Sequence, residues 1–269
     1  MMRSPLRMPR AMTLAAAACL TLITAGPATA QSSDADWRDL FNGRDLTGWT
    51  PKIVGHTLGA DPFQTFRVID GAIAVRYDRY DAPFADRFGH LFFAEPFGDY
   101  HLLVEYRFVG EQAPGAPGWA LRNSGAMLHS QPPASMGLTQ DFPISVELQL
   151  LGGLGDGRPR TTGNMCSPGT EVDIDSVAVR GHCRNARSRT FDGEQWVTME
   201  AIVRGSTMQF IIAGDTVLTL TNARMGGGNV SGHDPSVLVD GTALRHGYIA
   251  LQSEGHPVDF RRVRLRLLR

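Results

Sequence analysis

The stretch Asp141-Phe-Pro-Ile-Ser-Val-Glu-Leu-Gln-Leu-Leu-Gly-Gly153 decides the fold. Pro143 restrains the chain where the stretch begins, Gly152 and Gly153 close it, and the residues between alternate. Ile144, Val146, Leu148 and Leu150 fall on one face of an extended strand and Ser145, Glu147 and Gln149 on the other, because successive strand side chains point to opposite faces. The apolar row needs a core. The opposite row carries one charge, at Glu147, and is otherwise rich in hydrogen-bonding groups. An ordinary solvated face and a groove that grips a hydroxylated ligand both fit that row, and the rest of the chain shifts the balance toward the groove.

Working outward, Trp119–Ser130 reads as a preceding strand with Asn123, Met127 and His129 on one face, after a Pro/Gly loop from Ala113 to Gly118. Upstream, Phe66–Val75 is a hairpin with Asp70-Gly71 at its turn, and Arg87–Phe93 holds a further strand. Tyr100, Leu102, Val104, Tyr106 and Phe108 alternate with His101, Leu103, Glu105 and Arg107. Downstream, residues 152–192 show little periodicity and read as one long structured loop over a binding face. Trp196–Val203 pairs with Met208–Ile212, and His246–Glu254 and Val258–Leu268 close the chain. In the last run Val258, Phe260, Val263, Leu265 and Leu267 oppose Arg262, Arg264 and Arg266, and the one-residue irregularity after Phe260 predicts a bulge. Many short antiparallel strands with Gly/Pro turns, and no helix longer than two turns after residue 30, predict an all-β fold: a jelly-roll sandwich of two antiparallel sheets with long loops.

At the N-terminus, Arg3, Arg7 and Arg10 precede an apolar run from Ala11 to Ala25, and Ala28-Thr29-Ala30 has the small-x-small form of a cleavage site. Residues 1–30 therefore read as a secretory signal peptide, which makes the protein exported, periplasmic or secreted, and leaves a single domain over 31–269. The run is too short to favour a membrane anchor, and the residues before Cys19 do not suit lipid attachment. After cleavage 23 basic groups face 27 acidic ones, since three of the 26 lie in the signal, and there is no basic run. That argues against nucleic acid as a partner, and no later segment is apolar enough for a membrane. Lys52 is the only lysine. Two cysteines remain, Cys166 and Cys183; in an exported protein an even pair is most simply a disulfide, with metal ligation the minor alternative.

Four stretches together resemble a known family. They are Leu40-Phe-Asn-Gly-Arg-Asp-Leu-Thr-Gly-Trp49; Asn123-Ser-Gly125 with Met127-Leu-His-Ser-Gln131; Ile144–Gly153; and Gly247-Tyr-Ile-Ala-Leu-Gln252 with Val258-Asp-Phe-Arg261. In this order they resemble the 3-keto-disaccharide hydrolase domain family, also described as 3-keto-glucoside 1,2-lyase/3-keto-2-hydroxyglucal hydratase, over about residues 37–268. The resemblance implies a concanavalin A-like jelly roll with a concave sugar-binding sheet, and activity on glycosides whose C3 hydroxyl has become a ketone. The chain departs from the family pattern in the 208–214 hairpin, where Phe210 and Ala213 replace a frequent His and the Asn of an Asn-Gly turn. A non-catalytic carbohydrate-binding domain on the same fold is the alternative that this departure keeps open.

A 3-keto sugar has an acidic C2 proton, and a base that removes it lets the C1 aglycone leave by elimination. The site then needs a base, an acid for the leaving oxygen, and positive charge or donors for the enolate; a divalent metal ion is one way to meet the last need. Glu147 is the first choice for base or metal ligand, and His129 the candidate acid/base; a solvated Glu and a hydrogen-bonded surface His are the bland readings of each. Asn123, Gln149, Gln252 and Glu254 are candidate substrate-binding groups for a small-molecule or oligosaccharide substrate. Arg261 is a candidate for the enolate oxygen, although a structural salt bridge is the commoner fate of such a residue. An ordinary glycosidase would need two facing carboxylates. No GxSxG, HExxH or phosphate-binding glycine loop is present.

Overall fold

Period-two alternation runs through the chain, and the computed structural model is built accordingly from strands. It describes residues 1–2 and 36–269, and the part from residue 36 on belongs to one unit. Apart from its first two residues, the export signal expected at 1–30 lies outside the described residues. In chain order the strands are β1 (Arg38–Asp39), β2 (Trp49–Ile53), β3 (Phe66–Ile69), β4 (Ala72–Val75), β5 (Gly89–Phe93) and β6 (Tyr100–Phe108). Next come β7 (Asn123–Ser130), β8 (Val146–Leu151), β9 (Asn164–Cys166), β10 (Thr170–Ile174), β11 (Val177–Ala178) and β12 (Cys183–Arg184). The last are β13 (Val197–Arg204), β14 (Thr207–Ile212), β15 (Asp215–Met225), β16 (Tyr248–Ser253) and β17 (Val258–Leu267).

Two antiparallel sheets form. One has ten strands, ordered β11-β10-β15-β14-β13-β6-β17-β4-β3 with β1 on β17, and the other has seven, ordered β12-β9-β8-β7-β16-β5-β2. The apolar rows read from the sequence meet between them: Tyr100, Leu102, Val104, Tyr106 and Phe108 of β6 share one buried cluster with Val146, Leu148 and Leu150 of β8. Fully burying each aliphatic side chain of this kind is worth roughly 1.5–3 kcal/mol. The hairpin turn at Asp70-Gly71 has both residues at positive φ, 50° and 74°, as a two-residue turn between twisted strands requires. The expected bulge in β17 is present: its register against β6 shifts between Arg261 and Arg264, with Arg262 at φ 50°.

Three expectations change. Gly118–Ala120 form a 3-10 turn, so the strand expected from Trp119 begins at Asn123. The opening strand begins at Val146, two residues later than its apolar pattern. The stretch 152–192 is not a single loop but contains β9 to β12, each of two to five residues, too short to show a period. Of these, β9 and β12 extend the seven-stranded sheet and β10 and β11 the ten-stranded one. Cys166 and Cys183 are direct cross-strand partners between β9 and β12 and are joined as a disulfide.

The outer face of the seven-stranded sheet is partly roofed. The loop from 131 to 143 lays Met136 and Phe142 on Phe92, Met127 and Ala250, making a second apolar cluster. Gln140 ties the roof together: its Nε2 donates to Gln131 Oε1 and to the Phe142 carbonyl, both at 2.8 Å.

Candidate functional site

The polar row of β8 belongs to this outer face, and the sheet register places its neighbours. Gly125 of β7 pairs with Gln149 and Met127 with Glu147. On the far side of Gln149 is Asn164 of β9, which donates from Nδ2 to Gln149 Oε1 at 3.0 Å. On β16 Leu251 pairs with Ala126, so Gln252 stands beside Gly125, and Glu254, just past the strand end, comes level with Asn123. Beyond Gln252 the same row continues through His90 of β5 to Lys52 of β2.

Gly125 is where this arrangement needs a glycine. A Cβ there would lie 2.5 Å from Glu147 Oε1 and 2.8 Å from its Cγ, so the Glu147 side chain lies across the bare backbone of β7. This brings its charge to bear on Glu254. Both acids are buried, Glu147 at 4% exposure and Glu254 at 3%. Burial pushes the Glu147 carboxyl up to about 8. Burial, and then the charge of Glu147, raise Glu254 well above the usual carboxylate range. Two desolvated acids in one site retain protons that exposed acids would lose, the condition under which one acts as acid and its neighbour as base.

The same face concentrates buried polar atoms without partners: Glu147 Oε1, Glu254 Oε2, Asn123 Oδ1, both ends of the Gln252 amide, and both ring nitrogens of His90. His256, beyond the end of β16, also has both ring nitrogens without partners, and its ring meets Phe108 of the core at 5.7 Å. Native interiors leave few such groups, and this density marks a place where water or ligand completes the bonding. His90 is held neutral by burial and then by Lys52, which take it down to about 3. His256 is brought down to about 4 by burial, then by Arg122 and Arg160, against the pull of Glu194. Lys52 is 3% exposed, and its ammonium group donates to the carbonyls of Ile53 and Leu138, each at 3.3 Å.

A cavity of about 410 Å³ opens above Glu147, Glu254, Gln149 and Asn123, within the usual ~300–1,000 Å³ of small-molecule sites. Trp119 and Phe142 form an aromatic wall, and the Cys166–Cys183 disulfide and His182 also line it. Arg160 lines it as well and donates to the Gly152 carbonyl at 2.7 Å. Of the residues expected from sequence, Glu147, Asn123, Gln149 and Glu254 therefore share one cavity, and Gln252 lies on the same face beside Gly125.

Two expectations fail. His129 has φ 46° at a bulge, where the β7–β16 register shifts between the partners of Tyr248 and Ala250. Its ring turns away from the Glu147 face and meets Tyr100 of the core at 5.7 Å, with Nε2 3.0 Å from the Gly98 carbonyl. The backbone of Gly247 approaches so closely that a Cβ there would fall 2.4 Å from the His129 carbonyl carbon. Arg261 belongs to the ten-stranded sheet; it binds Glu105 at 2.6 Å and covers the Trp196 ring at 4.0 Å, the structural salt bridge named above as its commoner fate. Phe210 is a fully buried core residue. The seven-stranded sheet separates it from the Glu147 face, so no side chain at 210 reaches this cavity.

Sequence reading missed Trp119, Phe142, Arg160, His182 and His90. The single buried lysine was the one available signal for the Lys52–His90 end. As to metal, the one trio of His, Cys, Asp and Glu with converging ligand atoms among the described residues is Cys166, His182 and Cys183, and its two sulfurs are bonded to each other. Glu147 and Glu254 offer two oxygens without partners beside the Gln252 amide, an all-oxygen set of the kind that hard divalent cations take.

The chain belongs to the 3-keto-alpha-glucoside-1,2-lyase-like domain family, which it matches over residues 36–266. This places it among carbohydrate-active domains. Two solved structures from Parabacteroides distasonis ATCC 8503, each described as a candidate glycosyl hydrolase, share its fold. One is 17% identical, with a TM-score of 0.52 over 86% of this chain and 99% of that one. The other is 15% identical, with a TM-score of 0.53 over 88% of this chain and 98% of that one. None of the curated proteins matches the chain in sequence.

Proposed function

We propose that the protein is an exported enzyme that cleaves 3-keto-glycosides by removing the C2 proton. The observation that carries this reading is the buried Glu147–Glu254 pair, in a chain of this family. Burial raises both carboxyls, so the pair can hold one proton between them; Glu147 in its ionised form is assigned as the base and Glu254 in its protonated form as the acid. Glu147 takes the C2 hydrogen, the C1=C2 bond forms as the C1–O bond breaks, and Glu254 protonates the leaving oxygen. Water then adds to the enone. Asn123, Gln149 and Arg160 offer hydrogen bonds to the sugar hydroxyls. Were a divalent cation bound instead, Glu147 and Glu254 would be its ionised ligands, and it would supply Lewis-acid stabilisation of the enolate in place of their acid/base pairing. The disulfide is consistent with an oxidising compartment and so with export.

The paired carboxylates also suit acid/base hydrolysis of ordinary glycosides, the second reading. Matched glucosides with and without the 3-ketone, incubated with and without added divalent metal, decide between them. Turnover of the keto form alone is expected. Turnover of the unoxidised glycoside would favour the second reading, and turnover of neither would reject both.

A further inference from the structure

Trp119 is the one aromatic among the large exposed hydrophobic side chains of the described residues, at 54% exposure. It stands on the rim of the cavity whose floor holds Glu147 and Glu254. An indole left this open beside a site is an unused stacking surface.

It is held in place rather than loose. The 3-10 turn carrying it is closed by Ala120 N–H to the Pro117 carbonyl at 2.9 Å, and Gln112 Nε2 donates to that same carbonyl at 2.9 Å. Ala120, the next residue, is fully buried. One side of the indole rests on Phe88, with centroids 5.7 Å apart and planes 28° from parallel. Phe88 in turn contacts Phe142 at 5.0 Å and Phe84 at 5.4 Å. The platform therefore has a buried aromatic foundation, and ordering it takes little from the energy of binding.

The cavity also has a polarity. The sugar that loses its C2 proton must reach the carboxylates, where Asn123, Gln149 and Arg160 supply hydrogen-bonding groups. The Trp119–Phe142 wall offers ring faces instead. We propose that Trp119 stacks against the ring of the leaving group, so that the site prefers glycosides whose aglycone presents a flat apolar ring face, either aromatic or the C–H face of a second sugar. The proposal rests on the 3-keto-glycoside reading and adds to it the leaving-group specificity.

The test uses three 3-keto-glucosides of the same anomer with methyl, phenyl and glucosyl leaving groups, assayed with the wild type, Trp119→Ala and Trp119→Phe. Trp119→Ala is expected to lower kcat/KM for the phenyl compound about three- to tenfold more than for the methyl compound, with Trp119→Phe recovering most of that difference. A matching loss for the glucosyl compound identifies a sugar face as a second acceptable ring. Equal losses on all three substrates, or none on any, would overturn the proposal. If the wild type turns over none of them, the proposed chemistry fails. The platform is then read separately by calorimetry with phenyl and methyl glucosides: weaker binding of the phenyl compound alone to Trp119→Ala supports it, and no difference between the two refutes it.

Discussion

Replacing Glu147 by Gln should stabilise the protein above pH 5 while removing its activity. Gln keeps the size and hydrogen-bonding capacity of the side chain and cannot ionise. In the unfolded chain Glu147 titrates near 4.5, and in the fold burial pushes it up to about 8. Between those values the folded state keeps a proton that the unfolded state has lost, so stability falls as pH rises, by about 1.4 kcal/mol per unit for a single group. Below 4.5 both states are protonated and nothing is lost. At pH 7 the wild type therefore carries a penalty of at most about 3 kcal/mol from this acid, which the variant lacks. The coupling works in the same direction, because without the Glu147 charge Glu254 also ionises more easily. For a domain of this size, each kcal/mol moves Tm by about 2–4 °C. Thermal melts of both proteins at pH 4.5, 6 and 7.5 should show curves that nearly coincide at the lowest pH and diverge as pH rises, the variant melting higher. Turnover should fall about 10²–10⁴-fold, as for loss of a general base. A Tm difference that does not change with pH would refute the desolvated acid. Near-normal turnover would remove Glu147 from the mechanism, and with it the placement of the site on β8.

Gly125→Ala sets a methyl group 2.5 Å from Glu147 Oε1 and displaces the carboxylate from β7; a loss of activity of about 10²-fold with the circular dichroism spectrum retained is expected, and full activity would show that the carboxylate need not lie there. Ala213 has φ 51° in the β14–β15 turn, a conformation that Asn tolerates better, so Ala213→Asn should raise stability by about 0.5–1 kcal/mol in urea unfolding, and a decrease would contradict the strain argument. Alkylation of unreduced protein followed by mass spectrometry should find no free thiol at Cys166 or Cys183. Reduction of this 17-residue separation should lower stability by roughly 3 kcal/mol; an unchanged melt after verified reduction would leave the disulfide without a stabilising role.

Much of the fold was legible because strand periodicity is local. The β6 and β8 rows, the Asp70-Gly71 turn and the bulge after Phe260 each follow from a handful of adjacent residues, and the structure shows each of them. The polar row of β8 was legible too, and placed Glu147 on the face away from the core. Its burial was not, since that depends on a roof contributed by residues 131–143 and on walls from Trp119 and the disulfide. His129 shares a sequence phase with Asn123 and Met127, but a bulge that exists only in the pairing with β16 turns it into the core. Arg261 follows the Gln252 and Glu254 segment closely in sequence, yet β17 belongs to the other sheet, where Glu105 and Trp196 claim it. The sequence by itself determined which residues alternate, where the turns fall and that Glu147 faces outward. Only the tertiary structure decided that Glu254, more than a hundred residues away, is its partner, because strand order sets β16 beside β7 and Gly125 leaves the space through which the two carboxylates interact.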